Sequence, residues 1–507
     1  MGDNDGMVQT VSVNENVKNS AKFVIIGTGF AGIATAIRLM QEGEKDIIIL
    51  ERKDDVGGVW RDNQYPGCAC DVESNLYSLS FEPNSKWTRK FATQPEIYNY
   101  LKECVRKYEL LKYIRFQHEV TRMDWNDTCG EWRIQTSNGK FRAKIVVGAF
   151  GALNEPAYPT IEGIKNFNGE SFHSATWPKS FNPKGKRVAV IGTGASAIQF
   201  IPEIQPFVAS MTVFQRTPAW VIPKMDGPIS EGWRNAYSRF PVVQELSRLK
   251  YYLIREFTVL GFRNPKRLKS VEKIALKHMK SSIKVASLLE KLTPNYKIGC
   301  KRILPSNTYY PALAQPNVEV NTHGISEITK DAIVDAKGNR VEVETIIYGT
   351  GFQITDLPFA RVIYGREGHS LYEEWRGSPK AYMGTTVAGF PNLFLMQGPN
   401  TGLGHSSVLL MIESQVNHAI HVIKHMNQNK LDIIEPSPEA QAHFVKTTDN
   451  SMSGTVWVSG GCSSWYLDKT GRNSTLWPSF TFSFRRLTSK LIVEDYIGRH
   501  AVNPSTN

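Results

Sequence analysis

The stretch that decides the fold is Ala21–Glu51, AKFVIIGTGFAGIATAIRLMQEGEKDIIILE. The apolar run Phe23 to Ile26 has the length and bounds of a buried strand. It passes into Gly27, Gly29 and Gly32, then an amphipathic helical segment, then a second apolar strand, Ile47 to Leu50, that ends on Glu51. The three glycines serve different ends, namely a tight turn, close approach of backbone to a pyrophosphate, and close packing of helix on strand. The helix N-terminus supplies free amides and a partial positive charge for the phosphates. An acid closing the second strand suits a ribose diol that carries no phosphate.

A second unit of the same kind follows. Arg187 to Ile191 reads as a strand running into Gly192, Gly194 and Ser196, with Ala197 at the third glycine position, where alanine is permitted. The next strand, Met211 to Phe214, ends in Gln215-Arg216-Thr217. Arg216 thus stands where the first unit has Glu51, and a guanidinium there matches a 2'-phosphate through paired charge-assisted hydrogen bonds. Opposite end residues predict one site for FAD and one for NADPH. The fold expected is α/β, with two dinucleotide-binding, Rossmann-like domains, and the activity expected is redox chemistry.

The rest of the chain extends this plan. Strands around Val120, Trp132–Ile134 and Ile145–Val147 lead to Gly148-Ala149-Phe150-Gly151, a return to the first nucleotide. Thr345–Tyr348 leads to Gly349-Thr350-Gly351-Phe352, a return to the second. Ile97 to Tyr108 has the spacing of a core-facing helix. Between about Gly227 and Lys297 glycine is sparse and apolar residues recur at helical spacing, as in Val243, Leu246, Leu249 and Leu253. This predicts an inserted helical subdomain; its aromatic and apolar run YYLIREFTVLGF, Tyr251 to Phe262, would line a substrate entrance, touch a membrane or face the core, with core packing the default. The expected division is 1–155 and 350–507 for FAD, 156–226 and 298–349 for NADP, and 227–297 for the insert. Gly398 to Gln415 is a glycine-rich loop feeding a helix that would point at the flavin, and the segment beyond it, from Thr455 to Arg486, is rich in aromatics and turns.

A chain of 507 residues can hold two to four domains. Its formal excess of 12 positive charges, much of it between Arg248 and Arg302, is compatible with phosphorylated small molecules, a membrane surface or nucleic acid. No recognised nucleic-acid module accompanies the basic residues, so nucleic acid is set aside. The polar first twenty residues and the lack of a membrane-length apolar run predict a cytoplasmic protein without a transmembrane segment. Gly6 stands where a myristoylation signal after Met1-Gly2 would have Ser or Thr. The six cysteines lack scaffold or zinc spacing, which fits a reducing compartment. Cys68 and Cys70 are too close for the CxxxxC pair of the pyridine-nucleotide disulfide reductases and read as small residues in a turn.

Between the two units lies FNGESFHSATWP, Phe167 to Pro178. Its Phe167, Gly169, His173, Trp177 and Pro178 match the pattern FxGxxxHxxxWP. With both glycine motifs, YPGxxxDxxS at Tyr65 to Ser74, and the Lys301-Arg302 pair, the chain resembles the single-chain flavin-dependent Baeyer-Villiger monooxygenases. The resemblance runs from Phe23 to about Arg486. It implies NADPH- and O2-dependent insertion of one oxygen beside a ketone carbonyl, through a flavin C4a-peroxide, to give an ester or lactone. It further implies Arg302 as the cation that stabilises the anionic oxidant and adduct, Asp71 as its partner, and His173 as a residue coupling the two domains. Cofactor contacts are implied at Gly58, Trp60, Asp71, Tyr77 and Val120 for the flavin side, and at Thr217, Lys301 and Arg302 for the NADP side. The competing readings are an N- or S-oxygenase acting on amines or sulfides, and a non-catalytic nucleotide or redox sensor.

Overall fold

The computed structural model describes residues 18–502; Met1, Gly2 and Gly6 lie outside them. The strand Ser20–Ile26 sits inside an eight-stranded sheet, paired in parallel with Ile47–Leu50 on one side and Gly139–Gly148 on the other. A strand so placed has both faces covered, so Val24, Ile25, Ile48 and Ile49 are all buried rather than alternating. The helix Phe30–Gln41 returns over one face and packs against the long helix Val408–Asn429. Gly32 permits this: a Cβ there would lie 1.9 Å from the Gly27 carbonyl oxygen. Antiparallel strands Glu131–Thr136 and Val120–Asn126 extend the sheet, and Leu393–Leu395 joins the end of Gly139–Gly148.

A second sheet is wholly parallel, in the order Val318–Asn321, Ser210–Phe214, Arg187–Ile191, Thr345–Tyr348, Glu170–His173. Its turn after Arg187–Ile191 repeats the logic of the first. Gly192 has φ +104°, and a Cβ on it would meet the Gly349 carbonyl oxygen at 2.4 Å. The chain therefore carries two doubly wound units whose crevices face one another. Four helices, Glu231–Arg239, Pro241–Arg263, Lys269–Ser282 and Ala286–Leu292, make up the helical insert.

Two expectations are corrected. The first concerns the run Tyr251 to Phe262, expected by default in the core: Val259 and Phe262 are buried, but Leu253, Ile254 and Phe257 are exposed, as are Leu246 and Leu249 before them. The helix Pro241–Arg263 docks by its polar side over most of its length, and only near its C-terminal end do Val259 and Phe262 enter the core. Gln244 donates to the Asn75 side chain at 3.2 Å and the Asn84 carbonyl at 2.6 Å, and Arg248 donates to the carbonyls of Asn75 and Ser78 at 3.0 and 2.9 Å. Helical period shows that one face is apolar, not which face turns inward. Here the carbonyls of the 71–84 turns need donors, and the inner face supplies them.

The second correction concerns the cysteines. Cys300 and Cys462, separated by 162 positions, form a disulfide, while Cys68, Cys70, Cys104 and Cys129 are free. The fold, and no local spacing, brings the pair together.

The close helix-on-strand approach is testable. Gly32→Ala should lower unfolding free energy by about 1–3 kcal/mol, the cost of overpacking a tight contact, seen as a lower urea midpoint. Gly227→Ala, whose added Cβ meets nothing within 4 Å, should leave the midpoint unchanged. Equal midpoints for Gly32→Ala and the parent would contradict this packing.

Candidate active site

The two crevices open into one cavity of about 1300 Å³. That is more than the roughly 300–1,000 Å³ of a pocket for one drug-sized ligand. Gly27, Gly29, Glu51, Gly58, Trp60, Asp71, Tyr77 and Val120 line it from the first unit. Gly192, Gly194, Ser196, Arg216, Thr217, Lys301 and Arg302 line it from the second.

On the first side, bare backbone makes the floor. Gly58 and Gly29 approach so closely that a Cβ on Gly58 would stand 3.0 Å from the Gly29 Cα. No side chain intrudes where a pyrophosphate would cross the helix N-terminus at Phe30. Glu51 is held at the strand end by the Thr28 amide at 3.1 Å and hydroxyl at 2.5 Å, the Lys53 amide at 2.9 Å, and Arg61 at 3.1 Å. The buried Arg61 balances its charge. Trp60 donates to the Tyr77 hydroxyl at 3.1 Å, and the two rings stand edge to face. These features, a glycine cradle, a carboxylate at the ribose position and an aromatic wall, fit an adenine dinucleotide flavin.

On the second side, Ala197 occupies the third glycine position fully buried at the start of the helix Ala197–Ile204. Arg216 is exposed toward the cavity, and Lys301 lies near enough that, after burial, the Arg216 charge is the second cause lowering the Lys301 pKa. Among the described residues no carboxylate forms an ion pair with either cation. Two like charges held together without an acid fit a phosphate dianion, which an NADP 2'-phosphate supplies.

Between these halves stands the pair Arg302–Asp71. The guanidinium donates from Nε to Asp71 Oδ2 at 2.7 Å and from Nη2 to Oδ1 at 2.6 Å, a two-point clamp across 231 positions of sequence. Nη1 is left with only the Leu403 carbonyl, at 3.5 Å. Both side chains keep a quarter or so of their surface open, 29% for Arg302 and 23% for Asp71. The Asp71 charge, outweighing burial, raises the Arg302 pKa further. Burial pushes the Asp71 carboxyl up, but the Arg302 charge and its two hydrogen bonds hold it below its ordinary value. The pair is ionised and fixed.

Sequence reasoning missed the groups that support this pair. Arg255, on the inserted helix, grips Glu73 at 2.9 and 3.0 Å and donates to the Asp71 carbonyl at 3.2 Å, so the insert anchors the turn that carries Asp71. Tyr466 is buried, its hydroxyl has no partner among the described residues, and it feels the charges of Arg302 and Asp71. The Cys300–Cys462 bond ties the loop before Tyr466 to the segment that carries Lys301 and Arg302. The only signal of this in the sequence is compositional, the richness in aromatics around Trp465.

His173 is not among the cavity-lining residues. It is fully buried at the end of Glu170–His173, its Nδ1 accepts from the Ala175 amide at 3.1 Å, and its ring meets the edges of Tyr158 and Phe352, which do line the cavity. Burial lowers its pKa. Cys68 and Cys70 are buried and unbonded, the Cys68 thiol pushed up to about 12 by burial, so neither is a reactive thiolate.

Comparison with known proteins agrees with this geometry. A family model described as flavin-binding monooxygenase-like matches residues 20–362. A Baeyer-Villiger monooxygenase of Pseudomonas aeruginosa is 49% identical over 94% of this chain and 91% of its own. One from Streptomyces coelicolor is 46% identical over 95% of this chain and 93% of its own. The crystal structure of cyclohexanone monooxygenase from Rhodococcus sp. Phi1 bound to NADP+ superposes with a TM-score of 0.86 at 27% identity, covering 96% of this chain and all of the other. The chain belongs to the flavin-binding monooxygenase-like family and, within it, to the Baeyer-Villiger monooxygenases.

Proposed function

We propose that the chain uses FAD, NADPH and O2 to insert one oxygen beside a ketone carbonyl, giving an ester or lactone, and that Arg302 held by Asp71 is the group that makes the reaction possible. The observation that carries this reading is the fixed ion pair in the wall of a cavity flanked by two nucleotide cradles. The chemistry FAD supplies when bound is acceptance of hydride from NADPH and activation of dioxygen.

The residues of the chain divide the work. Gly27, Gly29 and Gly58 let backbone approach a pyrophosphate, Gly32 seats the helix on the strand, Glu51 marks the ribose end, and Trp60, Tyr77 and Val120 border the flavin side. Gly192, Gly194, Ser196 and Ala197 form the matching cradle for NADPH, with Arg216, Thr217 and Lys301 at the 2'-phosphate. Negative charge develops on the carbonyl oxygen when the carbonyl carbon is attacked, and the attacking oxygen must itself stay deprotonated. A guanidinium that never loses its proton stabilises both, and Nη1, whose one contact is the Leu403 carbonyl at 3.5 Å, is its least engaged donor. Asp71 keeps that donor pointed without reorganisation at the moment of reaction. His173, lodged between Tyr158 and Phe352, positions cavity walls and helps couple the two domains.

A division at 155/156, 226/227, 297/298 and 349/350 belongs to the same proposal, supported by the separation of the two sheets. An N- or S-oxygenase would need a protonated, electrophilic oxidant, which a neighbouring fixed cation opposes. A mere sensor has no use for an arginine clamped in the wall of the cavity.

Arg302→Ala should leave flavin reduction by NADPH little changed while lowering ester formation by about a hundredfold or more, the scale of losing one preorganised donor; NADPH consumption then ends in hydrogen peroxide. A normal ester yield would overturn the assignment. Arg216→Glu should raise KM for NADPH far more than for NADH, measured by flavin bleaching, and equal changes would remove its role. Arg255→Ala frees the Asp71 turn, so the share of NADPH ending in ester should fall while KM for NADPH holds; Arg255→Lys should restore part of the yield. Unaltered product partition in Arg255→Ala would show that the insert does not position Asp71.

A further inference from the structure

Up to its last two turns, where Val259 and Phe262 are buried, the helix Pro241–Arg263 is inverted relative to an ordinary surface helix. Its buried residues include Gln244 and Glu256, at 5% and 3% exposure, whereas Val242, Leu246, Leu249, Leu253 and Phe257 are 45% to 65% exposed. Their spacings of four, three, four and four place them in one stripe along the helix. The helix spans about 35 Å at 1.5 Å per residue, and most of its length carries the stripe. Trp233 and Phe240, exposed at 57% and 55%, continue the apolar surface onto the neighbouring helix Glu231–Arg239. Contiguous exposed apolar surface of this kind marks an interaction site.

Charge selects the occupant. Residues 227–297 contain fifteen lysines and arginines and five glutamates, a net of +10 out of the chain's +12. Lys250 is exposed beside the stripe, Arg239 precedes it, and Arg263, Lys266 and Arg267 are exposed at its far end; none forms an ion pair among the described residues. A second copy of the chain on this face would bring like charges together. An anionic lipid surface would meet cations at its headgroups and apolar side chains at the acyl boundary. No described helix is long and apolar enough to cross a membrane, so the helix lies in the surface plane.

We propose that this stripe and its basic rim seat the protein on an anionic lipid bilayer. The polar inner face of the helix grips the 71–84 turns, so the outer face is free to enter the interface without unfolding the insert. This surface is separate from the cavity, and its function does not depend on the reaction proposed above.

The test is co-sedimentation of the purified holoenzyme with phosphatidylcholine vesicles, with and without phosphatidylglycerol. Binding is expected only with phosphatidylglycerol and should weaken about tenfold or more when salt is raised past the range where headgroup charge is screened. The double variant Leu246→Glu, Leu253→Glu should lose binding about tenfold or more, keeping its flavin content and its turnover of a water-soluble ketone. Lys266→Glu with Arg267→Glu should weaken binding through charge alone. Failure of the parent protein to bind phosphatidylglycerol vesicles would overturn the proposal, as would binding indifferent to both sets of substitutions. A dimer in light scattering that Leu246→Glu, Leu253→Glu converts to monomer, with no vesicle binding by the parent, would reassign the face to self-association.

Discussion

The chemistry proposed for the cavity depends on holding one positive charge still. Arg302 is clamped to Asp71 through two hydrogen bonds of 2.6 and 2.7 Å, and the carboxylate uses up the donors that would otherwise let the guanidinium swing. Such a pair costs desolvation, and the protein offsets that cost by keeping both groups partly open to the cavity and by supporting the carboxylate from behind. Removing Asp71 would leave the charge but not its direction. Under the proposed role, removing Arg302 would leave a carboxylate with nothing to orient and a cavity without the cation assigned to the carbonyl adduct.

The support comes from three separate parts of the chain. Arg255 on the inserted helix fixes the turn at Asp71, the Leu403 carbonyl limits the remaining guanidinium donor, and the Cys300–Cys462 bond joins the segment bearing Arg302 to the loop bearing Tyr466. The inversion of the helix Pro241–Arg263 follows from the first of these. To satisfy carbonyls at Asp71, Asn75, Ser78 and Asn84, the helix turns Arg255, Arg248 and Gln244 inward, and Leu246, Leu249 and Leu253 are left outside. An apolar outer face is thus the counterpart of a rigid active-site turn.

The two nucleotide units are legible in the sequence because their signals are local: apolar strand, glycines, helix and end residue fall within thirty-odd positions, and Gly32 and Gly192 sit where backbone approach demands them. Arg302 and Asp71 are reachable only by resemblance, since nothing local links positions 231 apart. The disulfide is invisible for the same reason. Periodicity finds the apolar face of the inserted helix but not its direction, so Leu253, Ile254 and Phe257, in the run expected in the core, stand outside. His173, prominent in the fingerprint, lies beneath the cavity wall; a conspicuous motif position can identify a family while other residues touch the reactants.

The most direct test of the central claim is to supply the purified protein with NADPH, isotopically labelled dioxygen and a panel of ketones, and to read the products by mass spectrometry. An ester or lactone carrying one labelled oxygen is expected, with NADPH consumption that rises when ketone is present. Label found only in hydrogen peroxide or in amine and sulfide oxides, with every ketone recovered unchanged, would contradict it.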